Sequence, residues 1–196
     1  MSKKTLAIVL TNFGEEKGAL VVKGKSESER EEIIKAVYQR GYELEQRYYG
    51  CAQCVVAAIQ DYFPMNSALF KAATSFSGGF ASTIEGPCGA LTGGIIVLSN
   101  FFGRSREDYA NIGLLRRPGP LVRVYWDRFI KTYGGDTCRQ VQNHLFGKAY
   151  HFLDNDEYCE YEELGGHRDK CPAVVGQAGA WLAELLLDNN IPCKKI

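Results

Sequence analysis

The sequence predicts a mainly α-helical, bundle-like domain with a small N-terminal β-hairpin. Three observations predict it. Apolar residues recur at helical spacing along most of the chain, as in Ile33, Ile34, Val37, Tyr38 and Tyr42. Helix start and stop signals punctuate those runs: Ser26 with Glu29, Pro64, Gly86-Pro87, Gly134-Gly135 and Pro172. Only residues 5–10 and 19–23 have the short, β-rich character of strands.

The hairpin comes first. Its two strands flank the turn-like stretch Gly14 to Gly18, and residues 1–25 form the extension that carries it. A lone hairpin is marginal in water, so it must pack on the helical body or on a second subunit. The helical domain follows over residues 26–190. Ser26 and Glu29 have capping-box spacing and open the first helix, which Gly41 and Gly50 weaken. A second helix runs from about Cys51 to Tyr62, and Pro64 ends it. Residues 66–76 form a short helix, and the glycine-rich turn Ser77 to Ser82 follows. Gly86-Pro87 opens a helix that reaches about Phe102. A weaker helix is expected over 105–114, and a stronger one over 118–133 with Val122, Tyr125, Trp126 and Phe129 on one face. Gly134-Gly135 stops it, and Asp136 is expected to cap the next turn, which holds Cys138. Residues 144–168 read as irregular and polar. Pro172 starts the last helix, which ends near Leu187.

Composition excludes several classes of function. The chain has 196 residues, 45% hydrophobic and 23% charged, the balance of an ordinary globular domain. A chain of this length buries a core without cross-links. Net charge is zero and the basic residues are dispersed, which argues against a nucleic-acid partner. No run approaches the roughly 18 apolar residues of a membrane span. The first ten residues look superficially like a signal peptide. The apolar run stops at Thr11-Asn12 with no cleavage site after it, so a strand in a cytoplasmic protein is expected. The hairpin edges make a homodimer an open expectation.

The seven cysteines carry the chemistry. In a reducing compartment they point to metal ligands or redox thiols. Cys88 follows Gly86-Pro87 at a helix start, where N–H groups and the helix dipole favour a reactive thiolate. Cys138 and Cys171 also sit at expected helix starts. Cys51 and Cys54 form a C-x-x-C pair on one helix, without the βαβ setting of a thioredoxin motif. Cys54 reads as a small buried residue, Cys159 as a thiol among acids, and Cys193 as exposed. The glycines after Cys88 each cost a helix about 1 kcal/mol relative to Ala. They imply a close backbone approach to a ligand or another helix, and Gly86, Gly89 and Gly93 are the positions expected to border a cofactor. His167 is the best-placed histidine for tuning the site; His144 and His151 read as surface or core residues. Glu85 reads as a cap.

The stretch Gly86-Pro87-Cys88-Gly89-Ala90-Leu91-Thr92-Gly93-Gly94 resembles the CGAxxG motif of the C_GCAxxG_C_C redox-active protein family. Four cysteines in order define that family. Here they correspond to Cys51 in Cys51-Ala52-Gln53, the motif residue Cys88, Cys138 before Arg139, and Cys171 before Pro172. The likeness covers about residues 40–188. A similar domain occurs in split-Soret cytochrome c proteins, where its cysteines are suspected iron–sulfur ligands.

The resemblance implies a redox function with Cys51, Cys88, Cys138 and Cys171 as the ligand set and Cys51 and Cys88 as its reactive members. The expected cofactor is an iron–sulfur cluster, [2Fe–2S] or [4Fe–4S]. Four thiols can equally close a zinc site in a binding module, or act as two metal-free dithiol pairs. No covalent haem is expected, because Cys54 is followed by Val55 rather than by the rest of a haem-attachment motif. Nothing identifies an organic substrate, and the redox partner protein is left open.

Overall fold

The computed structural model describes residues 25–194. The expected hairpin strands lie outside these residues. Eight α-helices are formed among them: α1 (Glu27–Tyr48), α2 (Cys51–Tyr62), α3 (Ala68–Ala72), α4 (Gly89–Phe102), α5 (Gly119–Tyr133), α6 (Cys138–Phe146), α7 (Asn155–Glu163) and α8 (Cys171–Asp188). The only strand-like pairing among the described residues is a single antiparallel bridge between Pro87 and Thr137.

The capping box at Ser26 forms in full, so two otherwise orphan N–H groups are satisfied where α1 begins. Gly41 does not break α1; it lies buried against α8. The two helices pack lengthwise, and the approach is close enough that a Cβ on Gly176 would stand 2.8 Å from the Tyr38 carbonyl oxygen. Helix α2 packs on α1, α4 and α8, while α5 covers α4, α6 and α8. Between them lie Val37, Val55, Ile59, Leu91, Leu98, Phe129, Leu182 and Leu186, all fully buried. Each such side chain contributes about 1.5–3 kcal/mol. The core therefore holds the fold without cross-links, and all seven cysteines are free thiols. Tyr125 is buried with them and its hydroxyl donates to the Ala90 carbonyl at 2.8 Å.

Several boundaries differ from the sequence reading. Residues 66–76 split into α3 and a 3-10 turn, Thr74–Phe76. Residues 105–114 do not form the expected helix; turns lead into a 3-10 segment, Ile112–Arg116. The apolar residues there, such as Ile112 and Leu115, are exposed, so no core face rewards a helix. The stretch 144–168 is more regular than expected. It contains α7, capped by the Asp154 carboxylate, and then a π-helical turn, Gly166–Lys170. Pro87 does not sit inside a helix; Cys88 is the N-cap and α4 begins at Gly89. Thr137, not Asp136, caps α6, through a second complete capping box with Gln140.

Candidate redox site

Four helices begin at one place. Cys51, Cys138 and Cys171 are the first residues of α2, α6 and α8, and Cys88 is the N-cap of α4. All four cysteines line a single cavity of about 280 Å³. Three were expected at helix starts; the fourth, Cys51, follows the left-handed Gly50, which reverses the chain after α1.

Local backbone bonding explains how remote cysteines meet. The Cys88 N–H donates to the Asp136 carbonyl at 2.7 Å, and the Cys138 N–H donates to the Gly86 carbonyl at 2.9 Å. These two bonds clamp the start of α4 to the start of α6. Asp136 thus contributes through its backbone. The glycine-rich turn closes the other side, where Ser77, Gly78 and Ser82 line the cavity. Phe80, Ala81, Ser82 and Ile84 all adopt positive φ there. Such residues cost about 1 kcal/mol or more each and persist only where surroundings hold them. Here the hold comes from Ile84 N–H to Gly78 O and Arg139 N–H to Ile84 O, both at 2.9 Å.

The motif glycines are spacers. A Cβ on Gly89 would collide with the Cys51 sulfur, and one on Gly93 would stand 2.6 Å from the Ala52 carbonyl oxygen. Gly89 and Gly93 thus let α4 approach α2 and leave room for the Cys51 thiol. A Cβ on Gly86 would meet the Gly79 carbonyl oxygen at 2.9 Å, so that glycine packs the turn.

The electrostatics differ from the sequence expectation. A helix start was expected to favour thiolates, yet all four thiols are pushed up. Burial is the main cause in each case, and it outweighs the helix dipole. Cys51 rises to about 12, with the Glu45 charge adding to burial. Cys138 rises to about 11, with partial relief from a Gln142 hydrogen bond. Cys88 rises well above the ordinary thiol range through burial and the other three cysteines. Cys171 does likewise through burial, despite the Tyr161 hydroxyl that donates to its sulfur at 3.0 Å. Gln142 donates to the Cys138 sulfur at 3.4 Å. Without a bound cation the set is neutral at physiological pH.

The cavity has an acidic corner. Glu45 is only 2% exposed, and burial lifts its carboxyl to about 7, with partial relief from the neighbouring Cys54 thiol. His167 stands beside it, with Nε2 3.9 Å from Glu45 Oε1 and its ring 4.1 Å from that of Tyr49. Among the described residues, no three His, Cys, Asp or Glu side chains are gathered to hold a single metal ion. The four cysteines ring a space instead.

A family model described as "Putative redox-active protein (C_GCAxxG_C_C)" matches residues 49–185. The chain belongs to this family. No curated protein and no solved structure gave a match. The matched span contains the whole four-cysteine cavity apart from Glu45. In this family member the extra cysteines stand apart. Cys54 is buried and does not line the cavity; its thiol donates to the Tyr49 carbonyl at 2.9 Å. Cys159 is exposed, while Cys193 is half-buried against the core rather than exposed.

Of the histidines, His167 lines the cavity, whereas His151 is exposed and His144 packs edge-on to Tyr133. Glu85 does not cap; it pairs with Arg139 at the surface. Sequence reasoning missed Glu45, Tyr161 and Gln142. Glu45 did leave a signal. It continues the buried stripe Val37, Gly41 and Leu44, and so places an acid at a core position of α1. Tyr161 and Gln142 left none beyond membership of short polar helices.

Proposed function

We propose that this protein carries an iron–sulfur cluster on Cys51, Cys88, Cys138 and Cys171 and acts in electron transfer or redox sensing. The supporting observation is that four cysteines, each from the start of a different helix, line one cavity of about 280 Å³. Such a cluster supplies one-electron exchange when bound, as [2Fe–2S] or [4Fe–4S].

The residues present fit this group. The donor set is all sulfur, and the cavity is larger than one ion. Four helix N-termini direct their positive ends at it, which favours an anionic centre. Bound metal offsets the burial that keeps the thiols protonated, because a coordinated thiol gives up its proton. Tyr161 and Gln142 donate hydrogen bonds to the Cys171 and Cys138 sulfurs and so tune the potential. Phe152, Val141 and Val174 line the same space and limit water. Seven free thiols suit a reducing compartment such as the cytoplasm.

The other uses of four thiols fit less well. A zinc site needs its ligands gathered at one point, and the described residues have no such group. Thiol–disulfide exchange needs a thiolate, and all four pKa values are raised.

The test is preparation of the full chain without oxygen and with iron and sulfide supplied. A coloured protein with bound iron and sulfide is expected. Serine at any one of the four positions should lower the iron content, while C54S and C159S should not. A colourless wild-type protein would overturn the proposal.

A further inference from the structure

Glu45 is a buried acid that holding a cluster on the four cysteines does not use. Its Oε2 lies in the interior without a hydrogen-bond partner among the described residues. An unpaired buried polar atom is costly, so its retention asks for a role. Glu45 lines the cavity, and its other oxygen faces His167. The opposite ring nitrogen, Nδ1, hydrogen-bonds Glu162 Oε1 at 2.5 Å. Side-chain exposure rises along this series, from 2% at Glu45 to 14% at His167 and 30% at Glu162. The three groups thus lead from the cavity to solvent. His167 owes its place to the π-helical turn, a rare geometry often found at functional sites. The Tyr42 hydroxyl and the Gln46 amide donate to the Arg168 carbonyl and pin that turn to α1.

Resting on the redox reading above, we infer that Glu45 and His167, oriented by Glu162, form a proton path between the four-cysteine cavity and solvent, coupling electron transfer there to protonation of Glu45. Glu45 gains one proton for each electron that a one-electron donor, a reduced protein or dye, delivers to the centre. His167 keeps its Nδ1–H donated to the Glu162 carboxylate, takes up a proton from water at Nε2 and passes that proton to Glu45 Oε1. The 3.9 Å gap closes by a small ring rotation or one bridging water. Oxidation reverses each transfer. The added negative charge is thereby neutralised inside a low-dielectric cavity, where it is most costly uncompensated.

The surroundings leave Glu45 free for this task. Cys51 and Cys54 face it from α2, and Cys171 from α8. Tyr161 approaches from α7 beside Tyr158, which hydrogen-bonds Glu162. Across the cavity stand Cys88 of α4 and Cys138 of α6. On the π-helical turn, Arg168 pairs with Asp169 at 3.3 Å. Among the described residues no lysine or arginine pairs with Glu45.

The experiment is a midpoint-potential titration of the iron–sulfur-loaded full chain against pH. In wild type the reduction equilibrium should fall tenfold per pH unit across the range in which Glu45 takes up its proton, about 59 mV for one electron. E45Q should flatten that slope. H167F should keep the slope but slow reduction about tenfold or more. A flat wild-type profile, an unchanged slope in E45Q or an unchanged rate in H167F overturns the path. If no cluster loads, the functional reading fails and infrared spectra of the metal-free protein decide this inference separately. A carboxyl band that titrates around pH 7, vanishes in E45Q and exchanges deuterium more slowly in H167F supports the path. Absence of any of these three signs overturns it.

Discussion

The burial of Glu45 predicts an unusual dependence of folding stability on pH. In the unfolded chain this carboxyl titrates at its ordinary value of 4.5, and in the folded protein at about 7. Below 4.5 both states hold the proton, and above 7 neither does. Between those values the folded state binds more protons than the unfolded one, so stability falls as pH rises. At about 1.4 kcal/mol per pH unit, the loss totals roughly 3 kcal/mol by pH 7 and above. Other carboxylates act in the opposite sense. Glu29 and Glu85 are held low by hydrogen bonds from Ser26 and Arg139. Burial would raise Glu162, but His167 and Tyr158 hold it low. The informative quantity is therefore the difference between wild type and E45Q. Urea unfolding of the metal-free protein at pH 4.5, 5.5, 6.5 and 7.5 should show E45Q gaining steadily on wild type, by roughly 3 kcal/mol at the top of the range. Parallel curves would refute the reasoning, because Glu45 would then titrate alike in both states.

Three further outcomes follow from the site's construction. Gly89→Ala forces a methyl group into the Cys51 sulfur, so it should cost about 1–3 kcal/mol in thermal unfolding and lower iron loading. Tyr161→Phe removes the donor to Cys171, so the midpoint potential should move negative and the Cys171 thiol should alkylate still more slowly, as read by mass spectrometry. In the metal-free protein, alkylation of Cys51 and Cys138 should rise about tenfold per pH unit from 7 towards 11, while exposed Cys159 reacts first; equal rates at pH 7 would contradict the burial argument.

The fold was legible in the sequence where helix signals act locally. Ser26 with Glu29 marked α1, Pro64 closed α2, and Gly134 ended α5 in a left-handed turn. It was illegible where long-range packing decides. The segment 105–114 has helical spacing but no surface to bury against, and α7 is a polar helix held by the Asp154 cap and by Tyr161 facing the cavity. That the four cysteines meet at one cavity was legible because the family resemblance and the expected helix starts at Cys88, Cys138 and Cys171 pointed the same way. The direction of their pKa shifts was not. A helix dipole can be read from a turn signal, whereas the burial that outweighs it depends on how α2, α4, α6 and α8 meet. Glu45 was visible only as an acid on a buried stripe, and its meeting with His167 depends on a π-helical turn that no local signal marked.

The most direct test of the central claim is electron paramagnetic resonance of the chemically reduced, iron–sulfur-loaded protein with each cysteine replaced in turn by serine. The expected result is a cluster signal that C51S, C88S, C138S and C171S each alter or abolish, and that C54S, C159S and C193S leave unchanged. A signal indifferent to any of the first four, or dependent on one of the last three, would contradict it.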